Sequence, residues 1–392
     1  MAKERIFLGL YAGPACDGVD AALVAISGKA LRMKCRQVAE SHCTLPGCLA
    51  DDMRDLLETT SLKGQIDLGA MARIDGQLSI AMADAAAGLL MGAKPQEIAG
   101  VGMAGPVLSS VVGQGKDSSG QSLRPAGTRS LAQVELGNPA IVARALARPI
   151  VGDFVRTAGA HGIVKPAAWS YWLLLRHERL SRVVLRLGGM TELYFIPADA
   201  AEGDVLAFDA GPGTAVLDAL ARRLFHRDFD ADGALAAKGR PCAPLVHELM
   251  AHPFFPARSK APAMLSDWGT FGNACAQRLI LMAHKHACRN NHDIQASATE
   301  MVAFAASSAV GLLTERPHQV ILAGGGAKNI HLASRIRGLL SPSSTVAFEN
   351  LQTFHVGAAA SHAVAYAILA KTFLDVSSPY QYKSFLTFLK PL

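Results

Sequence analysis

Short apolar runs separated by turn residues open the chain. The runs at 5–11 and 21–26 predict two buried strands, and Gly13-Pro14 and Asp17-Gly18 between them predict the turn of a hairpin. Farther on, apolar residues recur with the period of a helix at 48–62, 68–91, 139–147, 214–226, 243–250, 267–288, 298–314 and 356–374. Strand and helix patterns that alternate in this way predict an α/β fold.

A second hairpin with a glycine turn is predicted near the middle of the chain. Residues 183–187 and 192–196 have the pattern of strands on either side of Gly188-Gly189. A further strand at 319–323 runs into Gly324-Gly325-Gly326. Because the same kind of hairpin opens both halves, we expect a βββαβα-type core that occurs twice.

The length of the chain favours two domains. Its 392 residues exceed the roughly 250–300 at which one hydrophobic core stops growing. We expect an N-terminal domain at 1–148, which the segment 375–392 could complete, and a C-terminal, nucleotide-binding domain at 149–374. Residues 111–130 are rich in Gly, Ser, Asp and Pro and lack an apolar period, so they predict a loop.

Composition and charge exclude several classes of protein. Half of the residues are apolar and only 6% are aromatic, which is typical of a globular α/β protein and not of a disordered or fibrous one. The net charge is +6, but the densest basic run, 176–186, contains an acid and has no interleaved aromatic residues. It therefore predicts a solvated helix face, and we expect no nucleic-acid partner.

The cysteines and the first residues predict a cytoplasmic protein. Seven cysteines, an odd number without a Cys-x-x-Cys pair, are typical of reduced thiols. Residues 1–5 carry charges of both signs and lack the pattern of a signal peptide. No run approaches the ~18 apolar residues that a membrane span needs, so no membrane partner is expected.

Clusters of glycine are candidates for nucleotide binding. Glycine lets the backbone approach a phosphate closely and direct N–H groups at its oxygens, but each cluster alone also fits a tight turn. The candidate nucleotide-binding residues are Gly13, Asp17, Gly18, Gly188, Gly189, Gly211, Gly213, Gly324, Gly325, Gly326 and Asn329.

Three aspartates beside these glycines are candidates for binding Mg²⁺. Asp17, Asp209 and Asp218 place carboxylates where a metal could neutralise a triphosphate, directly or through water. For Asp17 the alternative is that Asp17-Gly18 is only a hairpin turn signal. Asp209, which precedes Ala210-Gly211-Pro212-Gly213, is the better candidate.

Several of these motifs, in this order, resemble the anhydro-N-acetylmuramic acid kinases over residues 6–374. Residues 9–20 match the family's Gly-Leu-Met-Ser-Gly-Thr-Ser-x-Asp-Gly-x-Asp stretch with its three hydroxyl residues replaced, and 208–213 and 323–329 match further motifs. The resemblance implies the two-domain fold shared by hexokinase, actin and the heat-shock ATPase. It also implies ATP, Mg²⁺, a small sugar substrate, a homodimer, and a role in peptidoglycan recycling and amino sugar metabolism.

The departures from the family concentrate in its chemistry. Ala158 occupies the position of the family's catalytic aspartate, the general base that activates water. Arg186 and Glu192 replace the two asparagines of an Asn-x-Gly-Gly-x-x-Asn turn, and His362 replaces a glutamate. The family's sugar-facing His-Gly-Gln-Thr corresponds to residues 104–107, Ala-Gly-Pro-Val.

The sequence therefore predicts a protein that binds ATP but has lost the catalytic base, a pseudokinase. General acid–base catalysis contributes about 10²–10⁴-fold to a reaction rate, so its loss would leave little of the original reaction. The alternative is an active sugar kinase that uses a relocated base, for which Asp153 and His161 are the candidates.

Overall fold

The computed structural model describes residues 3–63, 66–93, 97–113, 130–154, 165–251, 255, 271–340 and 346–375. Its strands are β1 (Arg5–Ala12), β2 (Gly18–Ser27), β3 (Lys34–Thr44), β4 (Ile98–Ala104), β5 (Val107–Gly113), β6 (Ser130–Glu135), β7 (Ile150–Val151), β8 (Arg182–Leu187), β9 (Met190–Ile196), β10 (Leu206–Pro212), β11 (Gln319–Ala323) and β12 (Ala347–Glu349). Its helices are α1 (Gly47–Lys63), α2 (Leu68–Ala93), α3 (Pro139–Leu146), α4 (Ala167–Leu175), α5 (Thr214–Phe225), α6 (Ala243–Met250), α7 (Asn273–Lys285), α8 (Asn291–Val310), α9 (Ile330–Leu340) and α10 (Ser361–Asp375).

The two main sheets have the same topology. The first sheet has the order β3-β2-β1-β4-β7 and the second has the order β10-β9-β8-β11-β12. In each, the first three strands along the chain pair antiparallel. The fourth strand pairs in parallel with the first, and the fifth pairs in parallel with the fourth. This repetition agrees with the interpretation that one core occurs twice.

The last helix, α10, lies between the two sheets. It packs on β1, β2 and β4 of the first sheet and on α4, which in turn contacts β9 of the second sheet. A Cβ at Gly9 or Gly102 would collide with the backbone of Ala363 or Tyr366, respectively, so these neighbouring glycines let the helix lie directly on the sheet. One apolar cluster therefore runs from the first sheet through α10 and α4 to the second.

Two further apolar clusters cover the outer faces of the sheets. The first sheet packs against α1 and α2, and the second packs against α5, α8 and α9. No helix among the parts of the chain that the structure covers is long and apolar enough to cross a bilayer.

Most predicted elements occur, but some bounds differ and several observed elements were not predicted. Residues 111–113 and 130, expected in a loop, are the paired ends of β5 and β6, and 114–129 lie outside the described residues. The helix expected at 298–314 begins seven residues earlier, because the Asn290 side chain accepts a hydrogen bond from the His292 N–H and caps it. Strand β3, an edge strand with an alternating exposed face, was not predicted. Neither were β4–β7, β10, β12 and α4, and no bounds were predicted for α9.

Candidate functional site

Two glycine turns meet at the junction of the two sheets. The β1–β2 turn carries Ala15 and Asp17, and the β8–β9 turn carries Gly188 and Gly189. A Cβ added to Gly189 would lie 2.9 Å from the backbone nitrogen of Ala15, so the two turns are in contact. The structure thus brings the two predicted hairpin turns together.

Gly211 and Gly213 pack behind the second turn. Gly211 has a φ of 139°, which favours glycine, at an irregularity in the pairing of β9 and β10. The Gly213 N–H donates to the carbonyl oxygen of Gly189 at 3.1 Å, and the Thr214 N–H donates to that of Gly188 at 2.7 Å. Because these amides are already bonded within the protein, close backbone packing explains this glycine cluster.

The third glycine cluster follows β11 and is more open. Gly325 is exposed, and a Cβ added to it would meet nothing within 4 Å, whereas Gly324 has a φ of 82° and Gly326 is buried. The side-chain oxygen of Asn329 accepts a hydrogen bond from the Leu332 N–H at 2.9 Å, so this asparagine caps α9. Of these residues, Gly325 alone offers the close approach that a ligand would need.

The glycines of the first hairpin differ in the same way. Gly18 begins β2, where a Cβ would collide with the ring of His42 and the backbone of Cys43. Gly13 is half-buried, and a Cβ there would touch only the Tyr11 ring, at 3.2 Å. Close packing of the strands therefore explains Gly18. The space beside Gly13 would allow a ligand to approach the backbone there.

Asp17 lies near enough to Asp218 for its carboxylate to affect the pKa of Asp218, at a part of the junction that is open to solvent. Asp17 is exposed on the first hairpin, and Asp218 is half-buried on α5. Loss of hydration is the main cause that raises the pKa of Asp218 to about 8, and the negative charge of the Asp17 carboxylate is the second. Loss of hydration also raises the pKa of Asp17. Two such carboxyls fit a divalent cation, because a bound cation would favour their charged forms.

Basic side chains surround this opening from both halves of the molecule. Arg54 on α1 and Arg222 on α5 both act on the Asp218 carboxyl electrostatically. On the other side, Lys328 is exposed beside Gly325 and lies near enough to His42 to affect its charge. The opening therefore combines two carboxyls with cationic groups suited to an anionic ligand.

Asp209, the better metal candidate from the sequence, does not fit a metal. Its side chain is fully buried on β10, and its Oδ1 lies 2.7 Å from the ammonium nitrogen of Lys165. The same ammonium lies 2.5 Å from Oε1 of Glu192. A lysine thus occupies the place at which a cation would contact Asp209, and three potential metal ligands come together nowhere in the described ranges.

The Lys165 contacts belong to a buried cluster of charged residues. Glu192 also contacts Arg186 at 3.3 Å and His362 at 3.2 Å, and it accepts a hydrogen bond from the Tyr194 hydroxyl at 3.2 Å. All of the charged side chains in the cluster are less than a tenth exposed. We call Lys165, Arg186, Glu192, Asp209 and His362 the ion cluster.

The charges in the ion cluster balance. Burial alone would raise the pKa of Glu192, but Lys165 and its other partners hold it well below the ordinary value. Burial would lower the pKa of Lys165, yet Asp209 and Glu192 outweigh it and raise that pKa. Burial and Arg186 lower the pKa of His362 to about 4, so two cations face two anions at neutral pH.

The neutral imidazole of His362 connects α10 to the second sheet. Its Nε2–H donates to Glu192, and its Nδ1 lies 3.1 Å from the hydroxyl of Tyr171, which can donate to it. The Arg186 guanidinium lies 4.8 Å from the ring centre of Tyr11 on β1. The ion cluster therefore spans both halves of the molecule.

The proposed catalytic positions are only partly described. Asp153 is half-buried with a φ of 55°. Ala158 and His161 lie outside the described residues, so their assignments remain predictions.

Three members of the ion cluster, Arg186, Glu192 and His362, are visible in the sequence as departures from the family, but their contact with one another is not. One signal was available, because Arg186 and Glu192 face each other in the register of the predicted hairpin. Lys165 and His362 are far away in sequence and carry no such signal.

The chain is similar to one family over most of its length. The family model described as anhydro-N-acetylmuramic acid kinase matches residues 5–379. A protein of that name from Trichormus variabilis is 29% identical over 377 residues, which cover 93% of this chain and 89% of that protein. Another, from Xanthomonas campestris pv. campestris strain 8004, is 32% identical over 349 residues, 86% of this chain and 85% of that protein.

Similarity to solved structures is more distant. Component A of the (R)-2-hydroxyglutaryl-CoA dehydratase from Acidaminococcus fermentans aligns with a TM-score of 0.48 and 11% identity, over 95% of this chain and 99% of that chain. A ROK family glucokinase from Streptomyces griseus, in complex with glucose and AMPPNP, aligns with a TM-score of 0.37 and 13% identity, over 93% of this chain and 99% of that chain. At this distance the likeness carries no inference about the site.

Proposed function

Because this chain belongs to the anhydro-N-acetylmuramic acid kinase family, we propose that it keeps a nucleotide-binding cleft and has lost the phosphorylation of the anhydro sugar. The proposed ligand is ATP with Mg²⁺. The proposed role is that of a pseudokinase, a member that binds the nucleotide without transferring its phosphoryl group.

The ion cluster is the observation that carries this proposal. Phosphoryl transfer depends on cations and oriented groups that stabilise the moving phosphoryl group. Here Arg186, Glu192 and His362 stand where the family has two asparagines and a glutamate, and they contact one another in the buried cluster. The Glu192 carboxylate and the His362 imidazole are engaged with partners in the protein, so neither is free to orient a sugar or to accept its proton.

The sequence supports the same proposal at a separate position. Ala158 stands where the resemblance places the catalytic base, and a methyl group cannot accept a proton. Asp153 and His161 are the remaining candidates for a relocated base. The chain has lost both the base and the sugar-facing groups, and both losses reduce catalysis. Neither loss involves the residues proposed to bind the nucleotide.

The open end of the junction supports retained nucleotide binding. Asp17 and Asp218 would hold Mg²⁺, which supplies positive charge to a triphosphate. The exposed Gly325 allows close approach of the backbone, and Lys328 places an ammonium beside it. These residues do not belong to the ion cluster, so nucleotide binding and catalysis can be lost separately.

Two assays test the two parts of the proposal. In the first, the purified protein is incubated with ATP, Mg²⁺ and anhydro-N-acetylmuramic acid, and ADP and the phosphorylated sugar are quantified beside the Xanthomonas campestris relative. We expect no product from this chain. We also expect none from an Ala158→Asp variant, because the ion cluster remains.

The second assay measures the melting temperature with and without ATP and Mg²⁺. A ligand that binds only the folded protein raises it, so we expect a rise that Gly325→Val reduces. Gly338→Val, at another glycine with no neighbour within 4 Å, is the matched control. Turnover at the rate of the relative would favour the active-kinase alternative, and a melting temperature that ATP leaves unchanged would refute nucleotide binding.

A further inference from the structure

Two carboxylates in the ion cluster converge on one point. Glu192 and Asp209 are directly opposite each other on β9 and β10, and the Lys165 ammonium lies 2.5 and 2.7 Å from one oxygen of each. Like charges directly opposite in a sheet are destabilising unless a cation lies between them. Mg²⁺ in proteins uses the same kind of arrangement, one or two carboxylates completed by water.

The rest of the cluster cannot replace Lys165 at this point. Arg186 faces Glu192 from the other side, on β8, and contacts its second oxygen, Oε2. His362 contacts the same oxygen and not the Oε1 atom that Lys165 contacts. A row of one cation and two anions therefore crosses β8, β9 and β10, and Lys165, which comes from the segment before α4, supplies the second positive charge.

We propose that Lys165 is a resident cation that occupies what would otherwise be a divalent-metal site formed by Asp209 and Glu192. The native protein then holds no metal at this position, and removal of the lysine side chain opens a site for Mg²⁺ or Mn²⁺. The inference goes beyond the proposed function, which places Mg²⁺ at Asp17 and Asp218, and it rests on the Lys165 contacts alone. Its test measures cation binding and not turnover, so the two proposals can fail separately.

The test compares melting temperatures in EDTA and in Mg²⁺ or Mn²⁺ for Lys165→Ala. We expect Lys165→Ala to be less stable than the native protein in EDTA and to regain roughly 2–4 °C in the divalent cation. Adding Asp209→Asn to this variant should abolish the gain, because one carboxylate of the pair is removed.

Lys371→Ala is the matched control. Lys371 is also a buried lysine, but it pairs with the single carboxylate of Asp375. Its loss creates no pair of opposed carboxylates, so a divalent cation should change its melting temperature no more than that of the native protein. An equal gain in Lys371→Ala, or no gain in Lys165→Ala, would overturn the proposal.

A second variant and a second measurement keep the proposal testable if Lys165→Ala folds poorly. Lys165→Ser keeps a small polar side chain, and both variants are prepared in parallel with Mn²⁺ and with EDTA. Recovery of folded protein only in Mn²⁺ supports the proposal. Equal recovery without a cation-dependent shift, or failure in both media, contradicts it.

Discussion

At the scale of single residues, the ion cluster explains why several unusual side chains occur together. Two buried cations and two buried anions are stable only as a set, because each group depends on its partners for the interactions it loses with water. Removal of one partner from such a set typically costs about 3–5 kcal/mol. The members that differ from the family's motif are therefore expected to behave as one unit.

We predict that Arg186 and Glu192 are energetically coupled. Arg186→Asn and Glu192→Asn should each destabilise the protein by about 3–5 kcal/mol in urea unfolding. The double variant, which leaves Lys165 paired with Asp209, should lose about 1–3 kcal/mol less than the sum. The exposed pair Lys285 and Glu248 is the control, for which coupling below ~1 kcal/mol is expected. Additive losses at Arg186 and Glu192 would contradict the prediction.

His362 should make the protein sensitive to acid. Its pKa is about 4 in the folded state and near 6.5 when unfolded, so the unfolded state binds the proton first as the pH falls. The stability from this group should decrease from pH 6.5 and be lost by pH 4, by about 3 kcal/mol in total.

The measurement is the free energy of unfolding between pH 4 and 7. His362→Gln keeps a neutral donor and acceptor, so its profile should be flatter than that of the native protein. His226→Asn, at an exposed position with a left-handed φ that asparagine tolerates, should keep the native profile. Parallel native and His362→Gln profiles would show that this imidazole does not titrate as inferred.

At the scale of elements, the position of α10 determines the geometry of the ion cluster. The helix carries His362 and lies on β1 and β4 where both strands have glycine. It is almost completely buried along Ser361–Lys371, so it cannot tilt outward to relieve a clash. A small change under the helix should therefore disturb the cluster.

We predict that Gly9→Ala is destabilising and Gly88→Ala is not. The new methyl at Gly9 would collide with the carbonyl of Ala363, and overpacking of this kind costs about 1–3 kcal/mol. Gly88 lies in α2 with no neighbour within 4 Å, where alanine should add about 0.5–1 kcal/mol of stability. Chemical denaturation measures both, and a neutral Gly9→Ala would show that α10 can move away.

At the scale of the whole molecule, the two halves meet in two different ways. At the buried end, the ion cluster joins them with balanced charges. At the open end, loss of hydration, followed by the Asp17 carboxylate, disfavours ionisation of Asp218, and loss of hydration also disfavours ionisation of Asp17. We therefore expect the open end to respond to pH and to cations, and the buried end to be insensitive to added cations.

Asp218 should reduce stability as the pH rises. Its pKa is about 8 in the folded state and near 3.8 when unfolded, so its contribution falls from about pH 4 and is lowest above pH 8. Asp218→Asn should therefore melt higher than the native protein at pH 8.5, and Mg²⁺ should narrow the difference. Asp84→Asn, at an exposed position of α2, is the control. A native protein that melts at least as high as Asp218→Asn at that pH would contradict the assignment.

Much of the architecture was predictable from local patterns. Strands such as 319–323 and helices such as 243–250 were predicted with the observed bounds, because apolar period and turn residues act within a few residues of one another. The predicted two-domain sugar-kinase fold is confirmed, and the family supports it. Strand β3 was missed, since an exposed edge strand has few apolar residues to mark it.

The sequence by itself determined the fold class, the family and the positions at which this chain departs from the family's motifs. Only the tertiary structure decided that Lys165 neutralises Asp209, that Arg186, Glu192 and His362 are partners, and that Asp17 and Asp218 form the open carboxyl pair. The physical reason is the distance along the chain over which each kind of interaction acts. Periodicity and turn chemistry are local, whereas these contacts join segments brought together by the packing of α10 and α4 between the two sheets.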